Sequence, residues 1–197
     1  MLKNNQHKKQ QTIKKDASIK GIGLHTGVET IATFKPAEEN FGIRFKRLDL
    51  KDCPEIIADI DHVVDISRGT TIGQNDFRIH TVEHILSAVF GLQIDNILIE
   101  LTAKEPPVMD GSARPFVDVL LEAGIQEQKV VRDELIIDQT ITYNDAQRGV
   151  DIHILPSDKF RVTFMTDYNV PSLGTQYTAM YSLEEDFVKE FSSARTF

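Results

Sequence analysis

"IHTVEHILSAVFGLQIDNILIEL", Ile79 to Leu101, is the stretch that decides how the chain folds. Val82, Ile85, Leu86, Val89 and Phe90 recur at i, i+3, i+4, i+7 and i+8, the spacing of one helical face. Thr81 is the expected N-cap and Gly91 the expected end. The segment that follows, "IDNILIEL", shows little alternation and predicts a well-buried strand. A helix feeding a buried strand marks a layered α+β unit.

Inside that stretch, "HTVEH" (80–84) spells H-x-x-E-H, the inverted zinc-protease motif. The protease use needs His80 and His84 on one helix, a turn apart. A cap at Thr81 leaves His80 outside the helix, which counts against it. Glu83 and His84 alone suit a different zinc hydrolase. Adjacent helical residues differ by about 100°, so an imidazole and a carboxylate in the first turn approach one point from two sides. The imidazole could bind zinc and the carboxylate could take a proton from water. A surface His and Glu on an amphipathic helix is the plainer alternative.

Toward the N-terminus, "VETIATF", "GIRFKRL" and the alternating "IIADIDHVV" read as strands, and "TTIG" with "DFRI" flank "QN" as a hairpin. "GIGLHTG" (21–27) places three glycines around His25 and predicts a tight turn. Residues 1–12 are polar and lysine-rich, a flexible tail. Toward the C-terminus, "EPPVMDGSARPF" (105–116) puts Asp110 and Ser112 in a loop before a second helix. That helix carries Phe116, Val119, Leu120 and Ala123 on one face, with Pro115 near its start and Gly124 past its end. "QEQKVVRDE" reads as a hinge. Beyond it come three strand-like runs ("LIIDQTITY", "GVDIHIL", "FRVTFMTDY") and a capping box, Ser182 with Glu185, before a helix bearing Phe187 and Phe191. The expected organisation is α+β: a first sheet-plus-helix domain over 13–127 and a similar, incomplete one over 131–197.

A net charge of −8 argues against a nucleic-acid-binding face. No apolar run approaches the 18 or so residues that span a bilayer. The single Cys53 allows no internal disulfide framework and fits a reducing cytoplasm.

"GIGLHTG", "IHTVEHILSAVFGLQIDNILIEL", "EPPVMDGSARPFVDVLLEAGI" and "SSARTF" resemble, in order and spacing, the UDP-3-O-acyl-N-acetylglucosamine deacetylases, zinc amidases of lipid A synthesis. The similarity runs from about Ile13 to the last residue. It implies Zn2+ as cofactor, a UDP-linked acylated glucosamine as substrate, and two α+β domains with helices packed face to face between two sheets. Carried onto this sequence, Glu83 is the general base, His84 one zinc ligand, Asp110 a supporting active-site residue and His25 a neighbour of the cleft. His80 has no metal role in the family pattern.

The family's remaining zinc ligands form an H-x-x-x-D pair that this chain lacks, as it does the protonating histidine further on. His62, His25 and His153 offer no substitute at that spacing. The expectation is an N-terminal fragment, inactive or nearly so by itself, whose parent is the deacetylase. A non-catalytic module that binds a nucleotide-sugar or a partner is the alternative, and the inverted protease a third. "ISRGTTIGQ", with Arg68 and Gly69, departs from the larger apolar or Cys residues of many relatives and leaves acyl preference open. Oligomeric state is not legible.

Overall fold

The computed structural model describes residues 8–195. Its chain order begins with β1 (Lys9–Ile13), β2 (Ala17–Ile22), β3 (Glu29–Pro36), β4 (Ile43–Arg47), β5 (Glu55–Ile57), β6 (Val63–Asp65), β7 (Thr71–Gln74) and β8 (Phe77–Ile79). There follow α1 (Glu83–Gly91), β9 (Ile97–Leu101), α2 (Arg114–Ala123) and β10 (Ile125–Val131). The class is α+β. Two compact units emerge: one runs to Arg132 and takes in the residues from Val188 on, and the other is Asp133–Phe187.

In the first unit a mixed five-stranded sheet runs β2-β3-β9-β4-β5. The strand expected to be most buried is its centre: β9 lies antiparallel to β3 and parallel to β4. Ile97, Ile99 and Leu101 are fully buried there, as are Ala32, Phe34 and Phe45 on the flanking strands. Helix α2 packs on α1 and on β2. Phe116 of α2 meets Phe34 edge-on, ring centres 6.4 Å apart and planes at 72°. The buried α2 face is Phe116, Val117, Leu120 and Ala123, so Val117 takes the core position expected of Val119.

Four expectations need correcting. The tail expected over 1–12 ends earlier: Lys9–Ile13 is β1, paired antiparallel with β10, while residues 1–7 lie outside the described residues. Backbone pairing there needs no apolar signal, and a polar edge ladder supplies none. The hinge expected over 126–134 is taken up as far as Val131 by β10, for the same reason. "IIADIDHVV" is not one strand; it splits into β5, a 3-10 turn at Ile60–His62 capped by Asp59, and β6. Finally, Thr81 does not cap α1: the capping position is Val82, with no side-chain hydrogen bond.

The second unit contains two antiparallel hairpins, β11 (Ile141–Asp145) with β12 (Val150–Ile154) and β13 (Val162–Asp167) with β14 (Thr175–Met180). Helix α3 (Leu183–Asp186) follows and widens into a π-type turn at Phe187–Phe191. Ser182 caps it through Glu185 N–H at 3.3 Å, as the capping box predicts. The reciprocal partner differs, because Asp186 rather than Glu185 accepts from the Ser182 N–H. Among the described residues no helix is long and apolar enough to cross a membrane.

Candidate functional site

The site is built where β8 turns into α1. A buried arginine anchors the small β6-β7-β8 sheet that leads there: Arg47 of β4 forks onto Asp49 at 2.7 and 2.6 Å and donates to the Arg78 carbonyl at 2.8 Å. His80 follows β8, outside the helix as expected. Its N–H donates to the Lys104 carbonyl at 2.9 Å, and its Nδ1 lies 3.1 Å from Thr71 Oγ1. Burial holds this imidazole below its usual pKa. Two imidazoles one turn apart on a helix, the protease requirement, are not present at this motif.

Thr81 adopts φ +56°, a strained value for a β-branched residue. That kink lets the chain enter α1 with Glu83 and His84 in its first turn, both half-buried. A carboxylate there also faces the positive end of the helix dipole. Thr70 holds this start from two sides. Its carbonyl accepts from Val82 N–H at 3.1 Å, and its own N–H donates to Glu83 Oε2 at 2.8 Å. Gly69 sits at φ +146° against the same carboxylate; a Cβ there would stand 2.8 Å from Glu83 Oε1.

The glycine-rich turn arrives beside this loop. Gly23 N–H donates to the Val28 carbonyl and Gly27 N–H to that of Gly23, closing the turn between β2 and β3. His25 Nε2 lies 3.3 Å from the Arg68 carbonyl. The loop 68–70 therefore touches His25 at one end and Glu83 at the other. Asp110 lines a shallow groove together with Gly21, Ile22, Val108, Met109 and Pro115. Hydrogen bonds from the Ser112 hydroxyl and N–H hold its carboxyl below the usual range, and Arg195 lies 3.6 Å away. No hydrogen bond joins Asp110 to Glu83 or His84 among the described residues.

A catalytic zinc asks for three protein ligands and an open position. Among the described residues no group of three or more His, Cys, Asp or Glu side chains is placed to share a metal.

Residues 10–197 match the family model described as UDP-3-O-acyl N-acetylglycosamine deacetylase. The chain belongs to this deacetylase family. It is 53% identical over 188 residues to the bifunctional enzyme LpxC/FabZ of Chlorobaculum tepidum, covering 95% of this chain and 40% of that protein. It is 42% identical to the UDP-3-O-acyl-N-acetylglucosamine deacetylase of Saccharophagus degradans and 40% identical to that of Methylococcus capsulatus. Each of these covers 96% of this chain and 62% of the relative. The chain thus spans 40% to 62% of the length of these curated relatives.

Three residues around Glu83 and His25 escaped the sequence reading in the contacts they make: Thr70, Gly69 and Glu105. Glu105 had one faint signal. It precedes Pro106 and Pro107, which have no N–H, so a buried acid there must draw its donors from distant segments.

Proposed function

We propose that this chain supplies the Glu83–His84 part of a zinc-dependent centre that removes the N-acetyl group of UDP-3-O-acyl-N-acetylglucosamine in lipid A synthesis. Family membership gives the reaction class. The observation that carries the reading is the fixed Glu83 carboxylate, held by the Thr70 N–H beside His84 in the first turn of α1. Zinc, when bound, supplies a Lewis acid and a water of pKa near 7. His84 is the ligand this chain offers. The other two ligands and the proton donor lie outside residues 1–197 in this proposal, and the present chain alone turns over slowly or not at all.

The chain's own residues do the following. Glu83 accepts the proton released as water adds to the acetamide carbonyl, the ordinary task of a positioned carboxylate base. The Thr70 N–H keeps one Glu83 oxygen in place, so the base needs no rearrangement at the moment of attack. Asp110, held ionised by Ser112, supports the site from the groove beside Gly21 and Ile22. Loss of the C–N bond then gives acetate and a free amine. A nucleotide-linked substrate places the reaction in the cytoplasm, and the second unit is part of a second domain of the same plan. The test is metal content and acetate release by the protein extended through the length of its relatives. About one zinc per chain with turnover supports the reading; neither zinc nor turnover leaves a binding module without chemistry.

A further inference from the structure

Behind the site, one buried acid joins the two loops that carry it. Glu105 is 0% exposed. Its carboxylate accepts from the His25 N–H at 3.2 and 3.1 Å, from the Thr26 N–H at 2.9 Å and from Thr81 Oγ1 at 2.8 Å. An acid buried without such donors would cost several kcal/mol, so these segments and the acid stabilise one another. The fit is close: a Cβ on Gly23 would stand 2.6 Å from Glu105 Oε2. Thr81, the strained residue that launches α1, has its hydroxyl tied here. His25 is tied by its backbone, which leaves its ring free to reach the Arg68 carbonyl. A carbonyl only accepts, so Nε2 carries the hydrogen in that contact and Nδ1 presents a lone pair in the neutral ring.

We propose that Glu105 is a positioning residue for the deacetylation, setting the His25 turn and the start of α1 in one register so that His25 and Glu83 face a common substrate. This rests on the deacetylase reading above. Glu105 itself is walled off from solvent, so it acts through the groups it holds. The circuit closes through the loop 68–70, from His25 by way of Arg68 and Thr70 to Glu83.

The test uses the full-length enzyme with Glu105→Ala, Glu105→Asp, His25→Ala and the double variant Glu105→Ala/His25→Ala. Amide hydrogen exchange, Tm, kcat and KM are read for each. In Glu105→Ala the amides of His25 and Thr26 lose protection, and kcat falls on the order of 100-fold, the scale of a 1 Å misplacement. KM stays within about twofold, because binding is spared while attack geometry is lost. The double variant is within about threefold of the worse single one, the non-additivity of two residues on one route. Should Glu105→Ala fail to fold, Glu105→Asp carries the test: it keeps the charge, falls short by one methylene, and lowers kcat at nearly unchanged Tm. Lost amide protection with unchanged kcat overturns the positioning role and leaves the deacetylase reading standing, as do losses that multiply in the double variant. A wild type that binds substrate without releasing acetate sinks the deacetylase reading itself, and the positioning role with it.

Discussion

At the scale of single residues, the Glu83 carboxylate is fixed by the Thr70 N–H and closely approached by Gly69. Glu83 and His84 stand in a motif visible in the sequence, and the roles expected of them come from the family resemblance. Thr70 and Gly69 act through a backbone N–H and a missing Cβ, which no residue pattern announces. Gly69→Ala therefore strains a φ of +146° and pushes a methyl onto Glu83 Oε1. Turnover of that full-length variant, followed by acetate release, falls on the order of 10- to 100-fold. Glu105 carries a pH prediction. Burial pushes its pKa up, but hydrogen bonds from Thr81, His25 and Thr26 outweigh that and hold it below its ordinary 4.5. A carboxyl depressed on folding stabilises the protein above its unfolded pKa, and that share is lost as pH falls through the folded value. Denaturant midpoints from pH 7 down to pH 3 check this: wild type loses more stability below about pH 4.5 than Glu105→Gln does. His80 has the same sign, since burial favours its neutral form and acid below its ordinary pKa of 6.5 works against the fold.

At the scale of elements, helical periodicity found α1 and α2, and a nearly unbroken apolar run found β9, because each is packed into the core. Apolar patterning failed at β1 and β10, whose ladder is mostly polar, and at "IIADIDHVV", where alternation conceals a turn. The cap on α1 was misplaced for a physical reason: the Thr81 hydroxyl serves Glu105 instead of the helix N–H groups. His80 still falls outside the helix, so the protease motif fails as expected, by a different route. The contact between α2 and the sheet predicts a large energetic effect. Phe116→Ala removes a fully buried ring stacked edge-on to Phe34 and lowers unfolding free energy by about 3–5 kcal/mol in chemical denaturation.

At the scale of the whole molecule, the chain divides into two compact units. The boundary lies at Arg132–Asp133, and residues from Val188 on group with the first unit. Two-stranded hairpins are marginal by themselves, and the second unit leaves Ile141, Tyr143, Ile152, Phe164 and Tyr177 exposed. Native-state hydrogen exchange on this chain will show β11–β14 opening at lower free energy than β3, β4 and β9, whose side chains form the core. Equal protection across the two units would contradict that ranking. In the proposed function Glu83 is the base of a deacetylation and His84 a zinc ligand. The most direct measurement is acetate release and metal content of the full-length protein carrying Glu83→Gln beside one carrying His84→Ala. Glu83→Gln is expected to keep its zinc and lose turnover by about 10²- to 10⁴-fold, while His84→Ala loses both. Near-wild-type acetate release from Glu83→Gln would contradict that role.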